Sequence, residues 1–221
     1  YGVELPDGNC EPVDLVTGPG NIYVTAAKRA LQGVIGIDSE AGPTEIAILA
    51  DSSAVASHVA ADLISQAEHD ELAQSVLITH VKGLVPRVQE QIARQLKDLD
   101  REKIATKSIK NRGAIIVTKS LEESIKLSEE YASEHLVLAV EDPEKVSKEI
   151  GNAGAIFMGR YTAEALGDYC AGPNHVLPTG RTARFSSALG TYDFQKRISI
   201  VHASNEGAAA LAPIAVELAR G

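Results

Sequence analysis

The chain has 221 residues, 44% of them hydrophobic and 23% charged, and a formal net charge of −9. That length is enough for a real core in one or two domains, and the composition is ordinary for a soluble globular protein. The acidic balance argues against a general nucleic-acid or anionic-membrane binder. No apolar run approaches the ~20 residues of a membrane span, and no charged-then-apolar leader opens the chain. Cys10 and Cys170 lie far apart, which suggests neither a disulfide framework nor a CxxC knuckle, so a reduced, cytoplasmic protein is expected. The chain opens at YGVELPDGNC without an initiator Met and stops inside the helical pattern EGAAALAPIAVELARG. A fragment, a processed product and an incomplete record would all look this way.

In chain order, NIYVTAAKRALQG reads as a helix stopped by Gly33, and TEIAILA as a buried strand. SSAVASHVAADLISQAEHD has apolar residues at helical spacing, with Ser52 or Ser53 as the N-cap. Then follow strand SVLITH, a helix from Leu84 to about Leu99 and the charged helical stretch REKIATKSIKN. Strand GAIIVT, helix LEESIKLSEEYASE, strand LVLAV, helix DPEKVSKEIGN and strand GAIFMG complete the alternation. Continuously apolar strands separated by helices mark a parallel sheet covered on both faces. The expected fold is therefore a doubly wound α/β sheet, with ligands at the carboxyl ends of its strands. From about Tyr161 the pattern breaks into Gly-, Pro- and Asn-bearing loops, and a helical segment resumes after Ser204.

Several polar clusters can carry chemistry, each with a plainer alternative. GPGN, Gly18–Asn21, precedes a helix and can offer backbone N–H groups to a phosphate, or be turn chemistry alone. AGPTE, Ala41–Glu45, can bring Thr44 to a ligand, or simply feed a strand. Gln66 and His69 stand three apart on one helical face, which suits two ligands of one metal as well as a solvated helix end. Asp168 and His175, seven apart in a loop, can ligate a metal, orient a substrate, or be a turn acid and a surface imidazole. In YASEHL, which reads as a helix end, Glu134 and His135 are adjacent and so about 100° apart. Either the adjacency is chance at a helix end, or the two hold different tasks around one substrate. His58, His80 and His202 read as structural or exposed.

Taken in order, TGPGNIYVTAAKR, EAGPTEIAILAD, DLISQAEHD, SEHL, GDYCAGPNHVLPT and YDFQKR resemble the histidinol dehydrogenase family, from about Thr17 to Arg197 and more loosely to the end. The opening YGVELPDGNCEPVD matches less well. The resemblance implies a zinc-dependent, NAD-linked oxidation of L-histidinol through the aldehyde to L-histidine, the last step of histidine biosynthesis. It assigns Gln66, His69 and Asp168 as zinc ligands, with a fourth at a position beyond Gly221. It assigns Glu134 and His135 as the acid–base pair, and Thr44, Gln66, His69, His135, Asp168 and His175 as substrate contacts. Asn21 is assigned to the nucleotide, the other nucleotide contacts falling in an amino-terminal half. Homodimers with sites shared between subunits are implied, built from incomplete Rossmann-like domains. Residues 1–43 would end a second nucleotide-binding domain, 44–189 form the main α/β domain and 190–221 begin a small helical domain. A metal-dependent hydrolase of a small polar metabolite, and a non-catalytic fragment, are the other readings of the same residues.

Overall fold

Every residue of Glu45–Ala50 is buried in the computed structural model, which describes residues 3–5, 8–40 and 42–221, with side chains from residue 11 onward. Such a run needs cover on both faces, and the rest of the chain supplies it. The chain divides into two units, Tyr1–Gly190 and Thr191–Gly221. The first begins with an antiparallel pair, β1 (Val3–Leu5) and β2 (Gly8–Cys10), followed by β3 (Leu15–Val16), α1 (Ile22–Leu31) and β4 (Gly36–Ile37). β3 and β4 pair in parallel across α1. Residues 1, 2, 6, 7 and 41, and with them parts of the expected 1–43 segment and of the Ala41–Glu45 turn, lie outside the described residues.

The main sheet comprises β5 (Glu45–Ala50), β6 (Gln74–Thr79), β7 (Ala114–Val117), β8 (His135–Ala139) and β9 (Ala155–Met158). They run parallel in the order β7-β6-β5-β8-β9, so β5 is central and the chain winds outward from it in both directions. The connections are α2 (Ala56–His69), α3 (Leu84–Gln95), α4 (Glu102–Arg112), α5 (Leu121–Tyr131) and α6 (Pro143–Ser147). Strand alternation splits the core in two. Ile46, Ile48 and Ala50 meet Val59, Ala60 and Leu63 of α2 with Leu84 and Val88 of α3, while Ala47 and Leu49 meet Ile125 of α5 and Val146 of α6. This is the expected doubly wound, Rossmann-like sheet with helices on both faces.

Four local expectations are corrected. YASEHL does not close a helix: α5 stops at Tyr131, because Ala132 turns left-handed (φ 51°), and His135 opens β8. Ser53 does not cap α2. Asp51 Oδ1 accepts both its N–H (2.8 Å) and its hydroxyl (2.6 Å), and the helix starts later, after Val55. The stretch after Tyr161 is not all loop, since it holds α7 (Glu164–Tyr169). α1 ends at Leu31 rather than at Gly33: Gln32 already leaves the helix (ψ 130°), and Gly33 follows in the turn at φ +87°. The second unit is built around α8 (Asn205–Arg220), capped by Ser204, whose hydroxyl accepts the Gly207 N–H at 3.1 Å. No helix among the described residues is long and apolar enough to cross a membrane.

The segment before the sheet is held together internally by a buried ion pair. Lys28 Nζ lies 2.6 Å from Asp38 Oδ1 and donates to Gly18 O at 2.6 Å, with both side chains 3% exposed. Burial alone would raise the Asp38 pKa, but the Lys28 ammonium and the N–H groups of Gly18 and Ser39 hold it below the usual carboxylate range. Its contribution to stability is therefore present at neutral pH and lost as pH falls through that depressed value. Removing one partner strands the other charge, so Lys28→Ala is expected to cost about 3–5 kcal/mol, read from urea unfolding at pH 7. A loss below about 1 kcal/mol would show that the pair is not what holds this segment together.

Candidate active site

Because Ile46 pairs with His135 in the β5–β8 ladder, Thr44, Glu45, Glu134 and His135 converge at the amino edge of the sheet. Glu45 holds the other two through its backbone. Its N–H donates to Glu134 Oε2 at 2.9 Å, and its carbonyl faces His135 Nδ1 at 3.1 Å. A carbonyl only accepts, so Nδ1 carries the proton and Nε2 is the nitrogen left for chemistry in the neutral ring. Thr44 Oγ1 donates to the same Glu134 oxygen at 2.7 Å and accepts from Gln66 Nε2 at 2.7 Å. Residues 133–135 are drawn in tightly from the β9 side. A side chain at Gly154 would stand 2.5 Å from the Glu134 carbonyl oxygen, an approach only glycine allows.

α7 closes the site from above His135. Its Gly167 lies against the Phe157 ring, where a Cβ would meet the ring at 2.6 Å, and that ring is tilted against the His135 imidazole, centroids 5.9 Å apart. Seated this way, α7 presents Glu164 and Asp168, one turn apart, to His135 Nε2 at 3.6 and 3.8 Å. Nε2 itself is buried and has no hydrogen-bond partner. Burial opposes charge on this imidazole, but the Asp168, Glu134 and Glu164 carboxylates outweigh it and push its pKa up to about 9. Burial raises Glu134 above the usual carboxylate range and pushes Glu164 up to about 7, against the pull of His135. On the opposite wall, Glu45 Oε1 accepts the Gly180 N–H at 2.9 Å, and Thr179 Oγ1 accepts the Gly42 N–H.

These groups border a cleft of about 830 Å³. Of the residues singled out from the sequence, Asn21, Thr44, His69, Glu134, His135, Asp168 and His175 all line it. Gln66 stands behind Thr44, 1% exposed, with Oε1 buried and unpartnered. Asn21 caps α1, its Oδ1 accepting from Tyr23 N (3.0 Å) and Val24 N (3.2 Å). Gly18 N donates to Asp38, so GPGN offers a phosphate fewer free donors than its pattern suggests. The cleft opens at the amino ends of the strands, not the carboxyl ends, because the loops into β5 and β8 carry its polar residues. A smaller cavity of about 270 Å³ does lie at the carboxyl edge, beside Val55, His58 of α2 and Arg160.

A further correction concerns the pair. Glu134 and His135 are neighbours entering a strand, not a helix, and their side chains still come within 3.7 Å. Among the described residues, the His, Asp and Glu atoms clustered within 4.8 Å of one another belong to His135, Glu164 and Asp168, and His69 is not among them. Sequence reasoning missed Glu164 and Glu45. The i,i+4 spacing of Glu164 and Asp168 was the available signal for the first; nothing marked Glu45 apart from its neighbours in a buried strand.

Fold and site together define a Rossmann-like α/β domain carrying a buried Glu–His pair beside a carboxylate cluster. The chain belongs to the histidinol dehydrogenase family, whose profile matches residues 1–221. It is 54% identical over 222 residues to a histidinol dehydrogenase of Neisseria gonorrhoeae, covering 100% of this chain and 51% of that protein. It is 55% identical over 208 residues to one of Thiocapsa roseopersicina, covering 94% and 89%. A crystal structure of histidinol dehydrogenase from Elizabethkingia anophelis superposes with a TM-score of 0.90 at 38% identity, over 96% of this chain and 49% of that one. The chain thus spans about half the length of the Neisseria and Elizabethkingia relatives. An acetylating aldehyde dehydrogenase from Geobacillus thermoglucosidasius, at 14% identity and a TM-score of 0.54 over 86% of this chain and 57% of that one, shares the fold alone.

The Gln66–Thr44–Glu134 chain makes a stability prediction of its own. Thr44→Val removes the hydroxyl between a buried amide donor and a buried carboxylate, and is expected to cost about 2–3 kcal/mol in urea unfolding. Thr44→Ser keeps the hydroxyl and should recover most of it. Equal losses in the two variants would mean that the methyl group, not the hydrogen bonds, matters here.

Proposed function

We propose that these residues form the acid–base and metal-holding side of a histidinol dehydrogenase, an oxidoreductase taking L-histidinol through the aldehyde to L-histidine with two NAD. The observation that carries this reading is the buried Glu134–His135 pair, held by one backbone at the head of a cleft that His69, Asp168 and His175 also line. The family's homodimer with shared sites, and a cytoplasmic setting, belong to the same reading.

Gln66, His69 and Asp168 would hold the zinc. The fit rests on the donor set: Gln66 Oε1 is buried and lacks any donor, and an amide oxygen, an imidazole and a carboxylate are groups zinc accepts. When bound, the ion supplies a fixed positive charge and an anchor for the substrate's imidazole. Asn21, with Oδ1 committed to its helix cap, keeps its amide N–H groups for the nucleotide.

Oxidation of an alcohol and of an aldehyde needs two proton transfers of different kinds. In the first, His135 Nε2 would take the hydroxyl proton, and NAD, when bound, would supply the hydride acceptor. The carboxylates that keep this imidazole charged are those a cationic ligand would neutralise, so the ring becomes a base as the site fills. In the second, water must add to the aldehyde before hydride leaves again. Glu134 suits that step, because burial raises its proton affinity and Thr44 and the Glu45 N–H fix one of its oxygens.

In the native enzyme, Glu134→Gln should keep much of the alcohol step while slowing aldehyde to acid by roughly 10²–10⁴-fold, and His135→Asn should damage the alcohol step instead. Single-step assays with histidinol and with the aldehyde, followed at the nicotinamide absorbance, decide this. Equal slowing of both steps in the Gln variant would make the pair a single relay, and absence of any nicotinamide signal would favour a hydrolase. Separately, His69→Asn should lower bound zinc per chain in metal analysis and abolish turnover. Unchanged zinc and activity would remove His69 from the ligand set.

A further inference from the structure

β5 carries one residue that packing alone does not call for. Its other five residues are apolar, yet it opens on Glu45, which is 8% exposed. Burial raises the pKa of this carboxyl above the usual carboxylate range, against the pull of the Gly180 and Glu134 N–H groups. A buried acid is a costly choice where an apolar side chain would continue the strand. The steps above use only the backbone of Glu45, so its side chain has no task in them.

What the carboxylate touches is a turn behind the far wall of the cleft. Its Oε1 accepts the Gly180 N–H at 2.9 Å. That turn holds two consecutive residues at positive φ, Gly180 at 60° and Arg181 at 67°. The region is costly for an arginine, and such a conformation persists only where its surroundings fix it. Thr182 helps from inside the turn, its N–H and its hydroxyl donating to the Thr179 carbonyl at 3.1 and 2.7 Å. Two ties run outward, from Gly180 to Glu45 and from Thr179 Oγ1 to the Gly42 N–H, and both end on the segment that leads into β5. Just before the turn, His175, Val176, Leu177 and Thr179 line the cleft.

We infer that the Glu45 side chain is a positioning residue, a latch that ties the 175–180 wall of the cleft to the same residue whose backbone holds Glu134 and His135. The inference takes its substrate, though not its geometry, from the histidinol reading. A carboxylate accepting a peptide N–H is a charge-assisted hydrogen bond, stronger than a neutral one and suited to holding a strained turn. One residue then sets the separation between the acid–base pair and the wall that faces it. Loss of the side chain releases the wall but leaves the backbone clamp in place. Substrate binding therefore suffers more than the proton transfers.

The test compares Glu45→Met, which keeps the strand packed but offers no comparable acceptor, with Glu45→Gln, whose amide oxygen can still accept the Gly180 N–H. In the native enzyme at saturating NAD, the KM for L-histidinol is expected to rise about tenfold or more in Glu45→Met, by a larger factor than kcat falls. Glu45→Gln should recover most of that loss. Amide hydrogen exchange over residues 176–189, read by mass spectrometry, should quicken in Glu45→Met and stay near the wild-type rate in Glu45→Gln. A group needed merely for folding would lower the urea midpoint in step with these effects, whereas Glu45→Met should unfold close to the wild-type midpoint. Unchanged KM or unchanged exchange in Glu45→Met, equal damage in the two variants, or failure of both to fold overturns the latch. A wild-type enzyme that does not oxidise histidinol would instead overturn the reading beneath it, and the exchange comparison would still decide the latch.

Discussion

The backbone of Glu45 is the point on which the site depends. Its N–H fixes Glu134 and its carbonyl fixes His135, so one peptide segment at the start of the central strand sets the protonation pattern of both. Peptide groups neither titrate nor rotate freely, which makes them better clamps than side chains. The clamp is only as firm as β5, and β5 is buried at all six positions between two helical layers. Packing on both faces of a strand thus becomes accuracy at its end, where a misplacement of about 1 Å can cost ~10²-fold in rate.

The second layer of support is the seating of α7. A short helix with no side-chain N-cap has little stability of its own, and Gly167 against Phe157 locates it. That contact brings Glu164 and Asp168 over the imidazole, and it makes one aromatic ring a spacer between helix and base. Three carboxylates around one histidine repel one another, and the cluster answers by keeping the imidazole protonated and raising the proton affinity of Glu164.

Much of this architecture is legible in the order of the amino acids alone. TEIAILA, SVLITH, GAIIVT, LVLAV and GAIFMG are apolar throughout, and only a doubly covered parallel sheet buries such runs, so all five strands and the helices between them can be read. The residues lining the cleft are legible through a family resemblance more than through spacing. What stays hidden has physical reasons. α7 lacks a capping residue and contains Gly167, so helix signals are absent where a helix forms through tertiary contact. Ala132 adopts a left-handed conformation that favours glycine or asparagine, so no stop signal precedes Glu134. The choice of sheet edge depends on which loops carry the polar groups, which hydrophobic periodicity does not encode.

That choice of edge has an electrostatic consequence. In a parallel α/β layer, the helices begin at the carboxyl edge of the sheet and end at the amino edge. Where α2 ends at His69 and α5 at Tyr131, their last carbonyls give that edge a partial negative charge, roughly half an elementary charge per helix. Nucleotide folds of this class usually work at the other edge, where helix amino termini attract phosphate. A site at the amino edge inherits the opposite preference. The macrodipoles favour a metal ion and an ammonium group there before any side chain contributes, and disfavour the anions that the same architecture elsewhere binds.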